Sequence, residues 1–296
     1  MNELTIEADS EHEGRRIDQV LADTFPELSR TEIQQEIRAG EVYVSGKSIC
    51  RPSYRVRKGD LIHWDIPDKP ILFPRPILLS ILYEDPDLIV IDKPPGLVVH
   101  PGAGTTDTTL VEGLLVDRDL PVSDDPARPG VVHRLDKGTS GVVVVAKTLE
   151  TLESLKRQFA DRSTKKHYIA MVDGTFEETE GLIDAPIGRN PAMPQRMSIL
   201  AGGRPAQTEF TVLLKLEDSS LLWVRPRTGR THQVRVHLRY TGHSVRGDDK
   251  YGGKAADRLM LHAWRLEIRH PIRNEIMEFR SPIPKRFPEF PYETLD

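Results

Sequence analysis

The sequence predicts an α+β fold in which strands outnumber helices. Short apolar runs rich in β-branched residues recur along the chain, separated by turn residues. These runs do not alternate regularly with helical patterns, as they would in a parallel βαβ protein. The length of 296 residues is enough for about two domains. We therefore expect a small α/β module followed by a larger α+β domain.

The small module is predicted over residues 11–67. Apolar side chains at helical spacing predict helices over residues 16–25 and 30–39, the second capped by Ser29 and ended by Gly40. Short strands are predicted at three further places: residues 42–44, around Val56 and at Leu61–Ile62. The module thus combines two helices with a few short strands.

The larger domain is predicted over residues 80–290, after a proline-bearing linker over residues 68–79. Apolar runs predict a series of strands in it: Leu88–Ile91, Val142–Ala146, Glu209–Lys215, Leu221–Val224 and Gln233–Leu238. Thr148 is predicted to cap a helix. In the last run, strand alternation would place its three polar residues, Gln233, Arg235 and His237, on one face.

Composition excludes several classes of protein. A hydrophobic content of 38% and a charged content of 29% are typical of a soluble globular chain. The single cysteine, Cys50, excludes a disulfide framework and a multi-cysteine metal site. Residues 1–10 are acidic and lack the apolar core of a secretory signal, and no apolar run approaches the roughly 18 residues of a membrane span. We expect a cytoplasmic protein without a membrane partner.

The distribution of charge points to a nucleic-acid partner. The formal net charge of −4 and the pI near 6.2 argue mildly against one. However, the segment Arg225–Arg239 carries five arginines and two histidines and no acidic residue. A surface polarised in this way can bind RNA despite a negative total.

One loop, residues 131–141, combines a carboxylate with a rigid support. It leads into Val142–Ala146, five apolar residues of which four are β-branched, which predicts a strand buried on both faces. Asp136 lies in the loop between Arg134 and Lys137, and a carboxylate between two cations stays ionised. That state suits a nucleophile rather than a general acid. The alternative is a loop aspartate in surface ion pairs.

This loop resembles the signature of the RluA-type pseudouridine synthases, which isomerise uridine to pseudouridine in ribosomal or transfer RNA. Two other blocks resemble signatures of the same family in the same order, Leu88–Gly102 with its Asp92-Lys93-Pro94 segment and Arg227–Leu238, completed by Gly247–Gly252. The N-terminal pattern, including Arg16-Ile17-Asp18 and Ser29-Arg30, resembles the S-four-like RNA-binding domain that often precedes this catalytic domain. The resemblance covers roughly residues 11–285.

The resemblance implies a pseudouridine synthase fold, a mixed and mostly antiparallel sheet with flanking helices. It implies that Asp136 is the catalytic carboxylate, that Arg235 pairs with it, and that Tyr168 stacks on the extruded base. The Asp92-Lys93-Pro94 segment would support the catalytic loop. A further set of residues is implied to bind substrate: His133, Arg134, Arg227, Arg230, His232, Gln233 and Leu261.

The resemblance also implies phosphate contacts in the N-terminal module, from Arg15, Arg16, Arg30, Arg51, Arg55 and Lys58. The alternative for each of these residues is a solvated surface cation, and for Tyr168 it is a core position. No cofactor or metal is implied, and we expect a monomer whose partner is RNA. The sequence leaves open which atom Asp136 attacks, and whether Tyr168 or Asp136 removes the final proton.

Large-subunit ribosomal RNA is the substrate that the resemblance favours, with transfer RNA as the alternative. A second alternative, from another class, is a non-catalytic RNA-binding factor in ribosome assembly. Loss of Asp136, Tyr168 or Arg235 would have indicated such a factor, and all three residues are present. A hydrolase that uses the lone carboxylate lacks the partner carboxylate that glycoside cleavage usually needs.

Overall fold

The computed structural model describes residues 2–25, 30–66, 72–102, 107–123 and 125–295. The chain divides into two compact units, residues 1–71 and 72–296. The helices and strands described in the first unit are β1 (Asn2–Glu7), α1 (Ile17–Thr24), α2 (Arg30–Ala39), β2 (Val42–Val44), β3 (Lys47–Ser48) and β4 (Leu61–Ile66). Its strands form an antiparallel sheet in the order β1–β4–β2–β3.

The core of the first unit confirms both predicted helices. Ile17 and Leu21 of α1 and Ile33 and Ile37 of α2 are fully buried, and they belong to the same core cluster as Trp64 of β4. These four positions are the helical stripes that the sequence places inward. The unit therefore folds as the apolar spacing predicts, with the helices packed on one face of the sheet.

One strand prediction in this unit is wrong, and one strand was missed. Val56 is buried but lies in a loop, because its backbone pairs with Gly14 and Arg15 outside any ladder. Strand β1 was not predicted, although it pairs with β4 along its whole length. Ser29, predicted to cap α2, lies outside the described residues, as do residues 67–71.

A buried carboxylate joins the two helices of the first unit. Asp18 of α1 is fully buried and accepts hydrogen bonds from Arg16, from Arg30 and from Gln34. Burial alone would raise the pKa of Asp18, but the hydrogen bonds from Arg16, Gln34 and Arg30 hold it at about 2. Of the arginines proposed to contact phosphate, Arg30 therefore also ties α2 to α1, while Arg16 holds Asp18 from the start of α1.

The second unit is built on one large sheet with helices packed against it. Its elements are β5 (Ser80–Glu84), β6 (Leu88–Lys93), α3 (Leu110–Leu114), β7 (Ser140–Ala146), α4 (Leu149–Asp161), β8 (Lys165–Asp173), β9 (Glu180–Asp184), β10 (Ile187–Arg189), β11 (Met197–Ile199), β12 (Gln207–Lys215), β13 (Ser219–Pro226), α5 (Gln233–Tyr240), β14 (Leu261–Arg269) and β15 (Ile276–Arg280). A 3₁₀ turn, Tyr292–Thr294, follows.

The sheet confirms the predicted α+β class. Its strand order is β5–β6–β7–β14–β8–β13–β12–β9, with β15 paired to β14, and β10 and β11 form a separate hairpin. Every pair in it is antiparallel except β7 with β14. Strand β7 is buried along its whole length, as its β-branched run predicts. Thr148 caps α4, since its side chain accepts the backbone N–H of Thr151.

The predicted strand Gln233–Leu238 is wrong, because these residues begin helix α5. Val234 and Leu238, four residues apart, pack into the main core. Val236 packs on the opposite side, in a smaller cluster with Ile187, Ala206 and Tyr251. A helix buried on two sides carries apolar residues at even spacing, so its sequence imitates strand alternation.

Residues 72–79 contain neither helix nor strand. Of the helices in the described residues, none combines the length and the apolar character needed to span a membrane.

Candidate active site

A glycine at the start of β7 brings the Asp136 loop against β14. Gly141 has a φ of +115°, and a Cβ on it would lie 2.1 Å from the carbonyl oxygen of Ala263. Only glycine fits this backbone and this spacing. The close parallel contact of β7 with β14 therefore fixes the position at which the preceding loop leaves the sheet, and Asp136 lies four residues before Ser140.

A buried lysine supports the Asp136 loop through hydrogen bonds to backbone carbonyl oxygens. Lys93, at the end of β6, is fully buried, and its Nζ donates to the carbonyl oxygens of Pro94 at 2.9 Å, Leu97 at 2.8 Å and Lys137 at 3.3 Å. Burial lowers the pKa of Lys93 to about 7, against the opposing effect of Asp136. The Asp92-Lys93-Pro94 segment thus holds the backbone next to Asp136.

The cation that pairs with Asp136 comes from α5. Nη1 of Arg235 donates to Oδ2 of Asp136 at 2.9 Å. Its Nε and Nη2 donate to the two carboxylate oxygens of Asp248 at 2.7 and 2.8 Å. Burial alone would lower the pKa of Arg235, but Asp248 and Asp136 raise it. One guanidinium therefore bridges two carboxylates, and Asp248 is fully buried.

The sequence neighbours of Asp136 make other contacts, which corrects the expectation that they hold it. Lys137 pairs with Asp107 at 2.7 Å. Arg134 is exposed and lies 3.5 Å from His100, measured from Nη1 to Nε2. The cation that contacts Asp136 lies 99 residues further along the chain. The cations nearest to Asp136 in sequence, Arg134 and Lys137, are therefore not the cation that contacts it in the structure.

Two more side chains complete the surroundings of Asp136 and Arg235. His232 has a φ of +55°, and its Nε2 lies 3.9 Å from Oδ1 of Asp136. Its Nδ1 lies 2.7 Å from the hydroxyl of Tyr251, and burial lowers the pKa of His232. The guanidinium of Arg235 stands 5.0 Å from the ring centroid of Tyr251. Asp248 and Tyr251 were not predicted as site residues, although both lie in the Gly247–Gly252 signature.

Tyr168 and Leu261 form an apolar wall beside the carboxylate. Tyr168 is half-buried on β8 and Leu261 is buried at the start of β14, and both line the same cleft as Asp136. Burial raises the pKa of Tyr168 strongly, and the negative charge of Asp136 adds to that effect. The phenol therefore stays protonated at neutral pH.

The cleft has a volume of about 580 Å³ and an unusual balance of charge. Lysine and arginine side chains line it from several elements: Arg134, Arg162, Lys166, Arg204, Arg230 and Arg235. Among the described residues that line it, Asp136 is the only carboxylate. A chain with a net charge of −4 thus presents a strongly positive cleft around one acid.

Three of the residues predicted to bind substrate, Gln233, Arg227 and His133, make contacts within the protein. Gln233 accepts from Thr228 and from the backbone of Arg230, and donates to Thr208 and to the backbone of Gln207, which fixes the loop before α5. Arg227 is outside the lining of the cleft and pairs with Glu209.

His133 lines the cleft, but its Nε2 accepts the backbone N–H of Val144 at 3.0 Å and its ring stacks on Phe159. Burial lowers the pKa of His133 to about 3, with a smaller contribution from Lys166, so the ring is neutral. Both contacts hold the start of the Asp136 loop against the sheet and α4.

One group in the described residues has the composition of a metal site. Asp85, Asp87 and His270 bring three ligand atoms within 4.8 Å of one another. However, Asp85 already accepts hydrogen bonds from Tyr83, His270 and Arg273 and from two backbone N–H groups. These contacts tie β5 to the turn after β14, which is a structural role.

Comparison with known proteins identifies the class as an RNA-modifying isomerase with an N-terminal RNA-binding domain. A family model described as RNA pseudouridylate synthase matches residues 87–240, and an S4 domain model matches residues 15–62. The first match covers more than half of the chain and includes Asp136, Tyr168 and Arg235. The chain belongs to the RNA pseudouridine synthase family.

Relatives match over nearly the whole chain. An uncharacterized RNA pseudouridine synthase of Bacillus subtilis is 39% identical over 295 residues, which covers 98% of this chain and 97% of the relative. The ribosomal large subunit pseudouridine synthase D of Nitrosomonas europaea is 42% identical over 289 residues, with coverages of 92% and 82%. A solved structure, human RNA pseudouridylate synthase domain containing 1, is 30% identical with a TM-score of 0.58, and the match covers 70% of this chain and 84% of that one.

Proposed function

We propose that this protein isomerises specific uridines to pseudouridine in large-subunit ribosomal RNA. The observation that carries the proposal is Asp136, the one carboxylate among the described residues of a cationic cleft, hydrogen-bonded to Arg235. Relatives named ribosomal large subunit pseudouridine synthase D, 36–42% identical over most of the chain, favour this RNA. The proposal implies a cytoplasmic enzyme that acts as a monomer.

The proposed reaction needs the target uridine to leave its stack. Extrusion costs a few kcal/mol, less in a loop than in a duplex. The uracil then lies against Tyr168 and Leu261, with Asp136 beside the nucleoside. Arg134, exposed at the edge of the cleft, and Arg230, on the loop before α5, contact the surrounding RNA.

In the proposed catalytic steps Asp136 reacts, and Tyr168 remains a neutral phenol. Asp136 initiates cleavage of the bond between N1 of uracil and carbon 1 of the ribose, the base turns, and carbon 5 forms the new bond. The proton on carbon 5 must then leave. N1, which has lost its bond to the ribose, takes up a proton, so the product is an isomer of the substrate. Because Tyr168 stays protonated, we assign acceptance of that proton to Asp136. Arg235, held by Asp248, donates to Asp136 and orients its carboxylate.

In the N-terminal unit, the exposed Arg51, Arg55 and Lys58 are the proposed phosphate contacts. Arg16 and Arg30 share this task with their role in holding Asp18. Arg15, which pairs with Asp23, is the remaining proposed phosphate contact.

The test uses large-subunit ribosomal RNA from cells that lack this protein. The RNA is incubated with the wild type or with Asp136→Asn, and pseudouridine is mapped chemically at every uridine. We expect new pseudouridine with the wild type and none with Asp136→Asn, while both bind the RNA equally, because one loop carboxylate contributes little to phosphate binding.

The matched control is Asp107→Asn, which neutralises the exposed carboxylate that pairs with Lys137 and should leave activity unchanged. Transfer RNA from the same cells is treated in parallel. Modification of transfer RNA alone would contradict the proposed substrate, and modification of neither RNA would contradict the proposed activity.

A further inference from the structure

Three cations of the cleft have no part in the mechanism above. Lys166 on β8, Arg162 at the end of α4 and Arg204 before β12 line the same cleft as Arg230 and Asp136. Lys166 is mostly buried, yet among the described residues it has no hydrogen bond or ion pair. A buried ammonium normally has a partner, because its desolvation is costly.

The neighbours of Lys166 make its position less favourable still. Burial, with smaller contributions from the positive charges of Arg162 and Arg230, lowers the pKa of Lys166 to about 8. Burial also lowers the pKa of Arg230, together with Arg204 and Arg162. No described carboxylate contributes to the pKa shift of Lys166 or of Arg230. The four cations, which we call the cation wall, therefore repel one another without internal compensation.

The members of the cation wall come from separate turns and strands of the chain. Arg162 ends α4 with a φ of +66°, a conformation uncommon for residues other than glycine. Nε of Arg230 donates to the carbonyl oxygen of Pro205 at 3.1 Å. A Cβ on Gly229 would lie 3.6 Å from Nζ of Lys166, in ordinary van der Waals contact, so the loop before α5 passes directly beside the ammonium. The wall is thus assembled from four separate places in the chain.

We infer that Lys166, Arg162, Arg204 and Arg230 form a phosphodiester-binding subsite that holds the RNA backbone next to the target uridine. An anion of this kind supplies the missing partner of Lys166 and relieves the repulsion within the wall. The subsite lies in the cleft of Asp136, so it positions the nucleotide that reacts. The inference rests on the proposed function for the identity of the anion as RNA.

The test compares Lys166→Met with Lys165→Met. Lys165 precedes Lys166 on β8, lies on the opposite face of the strand and pairs with Glu267 at 2.9 Å. Binding of a short single-stranded RNA is measured over a range of salt concentrations. For Lys166→Met we expect affinity to fall about tenfold and the slope of log K against log salt to shrink by about 0.7, the value for one phosphate contact. Lys165→Met should match the wild type.

A second series locates the phosphate. Single phosphates of the RNA are replaced by neutral methylphosphonates. In the wild type, replacement at one or two positions beside the target should weaken binding, and in Lys166→Met the same replacements should have no further effect. Arg162→Gln repeats the test from another element, so the result does not depend on one variant.

The melting temperature of Lys166→Met shows whether weaker RNA binding comes from a lost contact or from a damaged fold. Because Lys166→Met removes a mostly buried, unpaired charge, its melting temperature should equal or exceed that of the wild type. Wild-type salt slope and affinity in both Lys166→Met and Arg162→Gln would overturn the inference. RNA binding with these slopes but without pseudouridine would instead contradict the proposed function and leave the subsite supported.

Discussion

At Arg235, one guanidinium serves two carboxylates of different character. Asp248 is fully buried and takes the Nε–Nη2 edge, while Asp136 borders the cleft and receives only Nη1. A bidentate pair of this kind is rigid as well as strong. Asp248 therefore fixes the direction of Nη1, and through it the carboxylate of Asp136, without touching the RNA.

Replacement of Asp248 by Asn should lower kcat while the affinity for RNA stays at the wild-type value. It should also lower the free energy of unfolding by about 3 kcal/mol, because a buried guanidinium loses its charged partner. Single-turnover kinetics and denaturant unfolding measure the two effects. Asp249→Asn changes the exposed neighbour and serves as control. A wild-type kcat in Asp248→Asn would contradict this positioning role.

At the scale of elements, the sequence was informative for helices that face solvent on one side and for a buried strand built from one unbroken apolar run. Helices α1 and α2 show their buried stripes because their outer faces are polar, and β7 is recognised by an unbroken β-branched run. Helix α5 gave no such contrast, since all residues from Gln233 to Leu238 are buried. The predicted grouping of its polar residues failed with it. Gln233 and His237, four apart, both contact Thr208, and Arg235 points the other way, to Asp136.

The candidate site also contains residues that the sequence identifies and residues that it does not. Asp136, Tyr168 and Arg235 could be named from signatures, and the structure brings Asp136 and Arg235 into contact. Asp248 and three members of the cation wall, Lys166, Arg162 and Arg204, were not named as site residues, because a buried ion pair and a cluster of like charges depend on which distant loops meet. Lys166 in particular differs from Lys165 only in the face of β8 on which it lies.

Within the first unit, Asp18 provides a test of how α1 and α2 stay together. Its pKa of about 2 lies below the value of 3.8 for an unperturbed aspartate, so its stabilisation is complete above pH 3.8 and is lost as the pH falls from 3.8 to 2. Asp18→Asn should destabilise the unit by about 2 kcal/mol at pH 7. The difference from the wild type should shrink over that acid range.

Amide hydrogen exchange of α1 and α2 in the full chain measures this local stability. Asp23→Asn is the control, since Asp23 lies on the same helix but pairs with Arg15 at the exposed surface. Equal protection of the two helices in Asp18→Asn and in the wild type would contradict the role of Asp18.

For the molecule as a whole, the position of charge matters more than its sum. The formal charge of −4 coexists with a cleft in which six lysines and arginines face one acid among the described residues. RNA affinity should therefore fall steeply as salt rises, as it does for basic proteins. Acidic residues elsewhere limit nonspecific binding outside the cleft.

Arg230→Ala and Arg227→Ala separate the cleft from its surroundings. Arg230 lines the cleft, and its loss should reduce the salt slope of RNA binding by about 0.7. Arg227 pairs with Glu209 outside the lining, so its loss should change the slope less. Filter binding at several salt concentrations measures both slopes. A larger change for Arg227→Ala would place the RNA along β12 and β13 instead of in the cleft.

The cation wall has a consequence for the end of the catalytic cycle. Uridine and pseudouridine are isomers, and the phosphates on either side of them are identical before and after the reaction. The wall therefore holds product as firmly as substrate, and this uniform binding does not lower the chemical barrier. Lower salt should accordingly speed capture of RNA but slow its release. In the proposed mechanism the base contacts Tyr168, Leu261 and Asp136, and these are the groups placed to distinguish a finished nucleotide from an unmodified one.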